Sequence, residues 1–370
     1  MGNKNNSSVN QQQNQISNTV NNQKDLKTYY DIDENLKNLA YNLEEEILSK
    51  FCSELTREQI YFEDVAVTLQ NFENMYMRTL CLNGKELNQE NNTKKIFIMI
   101  HGYQACNLTY YRIIKNLSKD CIVFCPDLLG MGLSSRPKVE FANENESINF
   151  FVESIEAFRK SKNINKFYIC GHSLGGYFAG QYSIKYPEHL EDTIFLFSAT
   201  GIGNPEKGGD CNENTNFGQK LVFKGNFGSF KMKPRIQSLK NNFISGYFVK
   251  NKCKKRYDIP QDEADLIGQV NLTYLDYPKD LDDCIFILFK YPIPTMKISL
   301  EDLFLEKIPD KRIIFSYGEK DWMDKFGAKR LAEIKPDKYK YYDIKNWGHN
   351  WLVESPNDAV NIIKSELNIN

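Results

Sequence analysis

The chain has 370 residues, 41% of them hydrophobic, and a formal net charge of −1. That length allows one large domain with an insertion or two modest domains, and a charge so near zero excludes attraction by the whole molecule as a route to nucleic acid, leaving only local patches. No apolar run approaches the roughly 20 residues that span a bilayer, no secretory signal opens the chain, and the nine cysteines show neither a CxxC pair nor metal-ligand spacing, so they read as free, mostly buried thiols.

Residues 1–28 begin MGNKNNSSVNQQQNQISNTVNNQ. This Asn/Gln-rich stretch has too little apolar surface to offset the entropy of ordering, so a disordered polar tail is expected. Gly2, followed by Asn6 and Ser7, resembles an N-myristoylation signal whose strict form has Ser or Thr where Asn6 stands. Next, NLKNLAYNLEEEILSKF has apolar residues at helical spacing and predicts a helix over 33–52. EDVAVTL (63–69) and NMYMRTLCL (74–82) read as two strands. Buried strands then alternate with helices: strands at 95–100, 121–127, 166–170 and 193–199, helices at 109–118, 146–160 and 175–186.

The alternation stops at 203 and resumes with a strand at 311–318, a helix at 324–334, a strand at 338–344 and a helix at 356–367. Alternation of this kind implies parallel pairing with helices on both faces, an α/β class. An interruption of about 100 residues is too long for a loop and should be a separately packed, mainly helical cap. The expected organisation is therefore a tail (1–28), a core in two parts (29–202 and 309–370) and a cap (203–308).

Reactive groups collect at the carboxyl ends of parallel strands. Ser173 sits at such an end in FYICGHSLGGY, flanked by Gly171 and Gly175 at the G-x-S-x-G spacing that suits a strained strand-to-helix turn. The following helix starts at once, so its N-terminal amides face the site. A Gly-rich turn that merely contains Ser is the alternative. Of the four histidines, His172 lies inside the turn, His189 at the far end of the next helix, and His101 directly after strand 95–100. His349, in the loop NWGHN after the last strand, is free to approach a hydroxyl and is the expected base. The orienting acid should fall between them in the chain. YGEKDWMD supplies Glu319, Asp321 and Asp324; Asp321 is the choice and Asp324 the expected cap of the next helix. Backbone N–H groups of Leu174 and Tyr103 would stabilise an oxyanion.

HGYQA, CPDLLGMGLSSRP, GHSLGGYFAGQYSIKYPEHL, YGEKDWMD and the final GH together resemble one branch of the α/β-hydrolase superfamily. The branch includes lysophospholipases, a cardiolipin deacylase, plant lysophosphatidate acyltransferase/lipases and a lipid-droplet lipase coactivator. The resemblance covers about 60–367 and is weakest through 205–300. It implies the α/β-hydrolase fold, Ser173, Asp321 and His349 as catalytic triad, and a lipid-binding cap. Coactivator members lack the nucleophile that Ser173 provides here. The branch's His-x-x-x-x-Asp pattern, associated with acyl transfer, ends here in Glu354. Gln104 stands where the oxyanion loop is usually glycine.

Within the cap, Phe217–Tyr257 carries eleven Lys and Arg residues and no Asp or Glu, interleaved with aromatic residues. Lys250, Lys252, Lys254, Lys255 and Arg256 are expected to meet phospholipid head groups or an anionic surface, each cation contributing about 1 kcal/mol. They would reinforce a single myristoyl chain, which alone binds with K of about 10⁴ M⁻¹. A solvated cap face is the plainer reading, and nucleic acid would leave the triad without a use. The expectation is a serine-dependent phospholipase- or lysophospholipase-type hydrolase, without metal or organic cofactor. It would be cytoplasmic and peripheral on a membrane or lipid droplet, with mitochondrial association a further option. A lysophosphatidate acyltransferase and a droplet scaffold for another lipase are the alternatives. An epoxide hydrolase or dehalogenase is excluded, because each needs Asp at the nucleophile position.

Overall fold

The computed structural model describes residues 29–30, 32–204, 207, 256–274, 277, 281, 285, 287–290, 295–307 and 310–369. Gly2, Lys250, Lys252, Lys254 and Lys255 lie outside them, as do the tail 1–28 and much of 203–308.

Eight strands form one sheet: β1 (Ile60–Leu69), β2 (Phe72–Leu82), β3 (Lys95–Ile100), β4 (Cys121–Pro126), β5 (Tyr168–His172), β6 (Thr193–Phe197), β7 (Arg312–Gly318) and β8 (Tyr339–Ile344). Their spatial order is β1-β2-β4-β3-β5-β6-β7-β8. The β1–β2 hairpin and the β2–β4 pair are antiparallel; all remaining pairs are parallel. Reversal of direction between β3→β4 and β3→β5 puts a topological switch beside β3 and β5, where the loops after both strands meet.

Alternation along each strand feeds two apolar layers. In β3, Phe97 and Met99 point into one layer and Ile98 and Ile100 into the other. The first layer holds α1 (Glu34–Phe51) and α9 (Pro356–Leu367); the second holds α3 (Glu144–Ser161) and α4 (Leu174–Lys185). Full burial of each large apolar side chain stabilises by about 1.5–3 kcal/mol, and sheet residues covered on both faces explain why these strands read as continuous apolar runs.

The helix expected over 109–118 is a composite. A 3₁₀ turn (Asn107–Tyr110) leads into α2 (Tyr111–Ile114) and a second 3₁₀ turn (Lys115–Leu117). Every residue from Asn107 to Tyr111 is buried, so no solvent-facing stripe exists to support a regular amphipathic helix. β6 stops at Phe197, two residues short of the expected end, because Ser198 turns to φ +47°. A four-residue helix, α8 (Trp351–Glu354), precedes α9.

Between β6 and β7 the described parts include α5 (Gln261–Tyr274) and α6 (Leu300–Glu306). The chain leaves and rejoins the core at one neck: Leu300 N–H donates to Gly201 O at 2.8 Å and Glu301 N–H to Ile202 O at 2.9 Å. In the last third, α7 (Phe326–Ile334) packs along β8. Lys325, not Asp324, holds the cap position of α7; Asp324, one residue earlier, accepts the Phe326 N–H at 2.9 Å and so still satisfies a helix-start donor.

Candidate active site

Ser173 is the single residue between β5 and α4 and takes φ +55°, ψ −120°. A non-glycine residue held there costs on the order of 1–3 kcal/mol. The turn is pinned on both sides: Ser173 N–H donates to Phe197 O, and Thr200 N–H donates to Ser173 O, each at 3.0 Å. Close packing explains the glycines. A Cβ on Gly175 would lie 2.2 Å from Ile100 O, so α4 could not start against β3. A Cβ on Gly102 would come within 2.8 Å of Ser173 Cβ, which places the loop after β3 directly over the serine.

The two other expected residues converge on it. His349 Nε2 is 3.0 Å from Ser173 Oγ, and His349 Nδ1 is 2.9 Å from Asp321 Oδ1. Asp321 sits just past β7, buried, and also accepts the Met323 N–H at 3.0 Å. Burial opposes its ionisation, but the His349 charge and hydrogen bond, with those of Ser198 and Met323, outweigh it and hold the carboxyl below its usual range. An ionised Asp321 accepting from Nδ1–H leaves Nε2 of neutral His349 to accept from the serine hydroxyl.

The loop over Ser173 is braced by a neutral histidine. His101 Nδ1–H donates to Gly102 O at 2.8 Å, while its Nε2 accepts the Leu128 N–H at 3.0 Å. Burial, partly offset by the Gly102 bond, lowers its pKa to about 4. Tyr103 follows Gly102, and Leu174 is the first residue of α4; their amides are the two expected oxyanion donors. Gln104 adopts φ +52°, a left-handed conformation that accounts for glycine being usual there.

The stretch DLLGMGLSSRP forms a self-bonded turn rather than a reactive group. Asp127 is buried and accepts the Asn107 N–H at 2.6 Å and the Leu133 N–H at 2.8 Å. Burial raises its pKa to about 7, against the pull of those two bonds.

Three contributions were not foreseen. First, His172 Nε2–H donates to the His349 carbonyl at 2.9 Å, with the ring centroids 4.9 Å apart. Burial, then the nearby His349 charge, lower its pKa to about 3, so it acts as a neutral donor. The Trp322 ring centroid lies 5.0 Å from that of His349. Third, the segment before α5 is fastened to the site: Asn350 Nδ2 donates to Arg256 O at 3.1 Å, Asp258 N–H to Glu354 Oε1 at 3.1 Å, and Arg256 Nη1 to Gln104 O. Glu354 thus holds a cap residue, and its burial raises its pKa. Only the adjacency of His172 to Ser173 was visible beforehand as a signal for any of these. Among the described residues no group of three or more His, Cys, Asp or Glu side chains could hold a metal ion.

A mostly parallel sheet carrying a serine on a strained turn, with histidine and aspartate delivered by later loops, defines the class of protein. Residues 95–356 match the family described as alpha/beta hydrolase fold, and the chain belongs to that family. It is 26% identical over 299 residues to a 1-acylglycerol-3-phosphate O-acyltransferase of Arabidopsis thaliana, covering 77% of this chain and 68% of the relative. It is 36% identical over 105 residues to the rat 1-acylglycerol-3-phosphate O-acyltransferase ABHD5, covering 28% of this chain and 30% of that one. The fold matches the solved structure of a membrane phospholipase A, a bacterial virulence factor, with a TM-score of 0.58 at 17% identity over 89% of this chain and 93% of that one.

Proposed function

We propose that the protein is a serine-dependent lipid acyl hydrolase that works through an acyl-enzyme. The observation that carries this reading is the chain of contacts from Ser173 Oγ to His349 Nε2 (3.0 Å) and from His349 Nδ1 to Asp321 Oδ1 (2.9 Å). Ser173 Oγ attacks the ester carbonyl as its proton passes to His349. The Leu174 and Tyr103 N–H groups receive the oxyanion, a type of contact that is worth roughly 3–4 kcal/mol per donor in other enzymes. Protonated His349 then gives its proton to the leaving alcohol, and the acyl-Ser173 ester remains. Water, deprotonated by His349, releases the fatty acid and regenerates the serine.

A second reading keeps the same acyl-enzyme and changes only the acceptor. The names of the relatives favour it: a lysophosphatidate hydroxyl in place of water would make the protein an acyltransferase. The residue that the resemblance associates with transfer, Glu354, is engaged with Asp258 N–H, which supports hydrolysis as the main outcome. A fluorophosphonate probe together with a panel of phospholipids and lysophospholipids tests both readings. Ser173-dependent labelling and free fatty acid are expected. A new acyl ester without fatty acid would install the second reading, and no labelling at all would leave a droplet scaffold as the role. Attachment to an anionic membrane or droplet surface through Gly2 acylation and the cap lysines is part of the proposal.

A further inference from the structure

We propose that Arg256 binds the phosphate of an anionic lipid substrate at the rim of the Ser173 site. This rests on the acyl-ester reading of Ser173 and goes beyond it by naming the residue that selects the head group. Arg256 is the last cation of the basic cap segment and the one that falls within the described residues. Its side chain donates from Nη1 to Gln104 O, in the loop that lies over Ser173, and its own carbonyl accepts from Asn350, the neighbour of His349. Two residues on, Asp258 N–H is held by Glu354. The backbone of Arg256 is therefore fastened beside His349 and its guanidinium to the Gln104 loop, rather than carried on a free surface arm.

A guanidinium has five N–H donors in a planar fork, and Gln104 O takes one. Tyr257 lies beneath it, 5.5 Å from Cζ to the ring centroid. Among the described residues no carboxylate forms an ion pair with Arg256. His101 and His172, kept neutral chiefly by burial, both feel its charge, so the field of the guanidinium reaches the site. A fork so placed matches a phosphate in geometry and charge, forming two parallel charge-assisted bonds. In a 1-acylglycerol-3-phosphate the phosphate stands one glycerol backbone away from the ester carbonyl. With that carbonyl at Ser173, a phosphate on the side of the Gln104 loop would meet Arg256, which is bonded to that loop.

The test is equilibrium binding in the Ser173→Ala background, which prevents turnover. Short-chain 1-acylglycerol-3-phosphate and the matching 1-acylglycerol are titrated as monomers at fixed salt. The expected result is a preference for the phosphate ligand that falls roughly 10- to 100-fold in Arg256→Gln, as expected for a lost charge-assisted pair, and is partly restored in Arg256→Lys. Three results would overturn the proposal: no preference in the parent, a preference unchanged by Arg256→Gln, or an equal loss for both ligands, which would make Arg256 a brace for the Gln104 loop alone. If Arg256→Gln fails to fold, Arg256→Lys decides, because retention of charge without the fork should still lower the preference. Failure of fluorophosphonate labelling at Ser173 would end the acyl-ester reading without affecting this binding measurement.

Discussion

His172 donates from Nε2 to the carbonyl of His349 at 2.9 Å, so the ring next to Ser173 holds the loop that carries His349. The bond spans two elements far apart in the chain and sets how closely His349 approaches Ser173. His172→Phe keeps a ring in the stack but removes the donor. It should lower kcat by about 10-fold with little change in KM, since a 1 Å misplacement costs roughly 100-fold. His172→Gln, which can donate, should fall between Phe and the parent. A Phe variant with parental kcat would show that the bond is incidental.

The triad assignment predicts that Ser173→Ala and His349→Ala each lower ester hydrolysis by several orders of magnitude, and that combining them adds little, because the groups act as a unit. Asp321→Asn should be severe as well. Asp324→Ala, which removes the acceptor of the Phe326 N–H, should chiefly weaken the start of α7, by about 1 kcal/mol. Steady-state kinetics with a soluble ester, together with thermal unfolding, separate the two aspartates. A nearly silent Asp321→Asn would place the acid elsewhere.

Glu354 distinguishes a holding role from a chemical one. Gln can still accept the Asp258 N–H through its amide oxygen, whereas Ala cannot. If Glu354 holds the cap segment, Glu354→Gln should stay nearer the parent than Glu354→Ala in KM for long-chain lipid. Labelled acyl donor and lysophosphatidate acceptor report transfer in the same variants. Loss of robust transfer in both Gln and Ala would establish that the carboxylate itself serves the acceptor.

Asp127 predicts a pH effect on stability. Its pKa is raised from 3.8 to about 7 in the fold, so between those values the native state holds a proton that the unfolded chain has released. Its contribution is fully present below about pH 4 and is lost as pH rises through about 7, with a slope of up to about 1.4 kcal/mol per unit. Urea unfolding at pH 5, 6 and 7 should therefore show Asp127→Asn with a shallower decline than the parent. Parallel lines would mean that Asp127 is ionised throughout.

Surface attachment is tested at positions outside the described residues. Gly2→Ala in a myristoylated preparation, and reversal of Lys252, Lys254 and Lys255 to Glu, should each reduce sedimentation with phosphatidylserine vesicles. Rising salt should do the same, by screening. Indifference to all three would remove the peripheral-membrane proposal.

The sheet was readable because strands covered on both faces become unbroken apolar runs, as in KIFIMI and TIFLF. The candidate triad was readable because each member ends a strand or opens the next loop, where local pattern and position in the chain carry the information. The contact of His172 was not legible because its partner is a backbone carbonyl, which no residue type announces. Arg256 looked like one cation among many; its approach to Gln104 depends on where α5 docks, a tertiary fact without a local signature. Residues 109–118 read as a single helix because apolar spacing registers burial, and the buried Tyr110, Tyr111, Ile113, Ile114 and Leu117 satisfy that pattern without continuous α-helical bonding.

The paired bonds from Leu300 to Gly201 and from Glu301 to Ile202 close the base of the insertion before anything within it is considered. A segment whose ends are already joined adds little loop-closure cost as it lengthens, about 0.6 kcal/mol per doubling. Loop-closure cost therefore sets little limit on the length of chain between Ile202 and Leu300, whereas sequence is constrained where Leu266, Ile267 and Val270 of α5 enter the layer of α1 and where Leu281, Ile285 and Leu288 enter the other. A graft from a relative between these two points should fold only if it brings matching apolar residues at those positions, which makes the neck a junction whose use is governed by packing rather than by chain length.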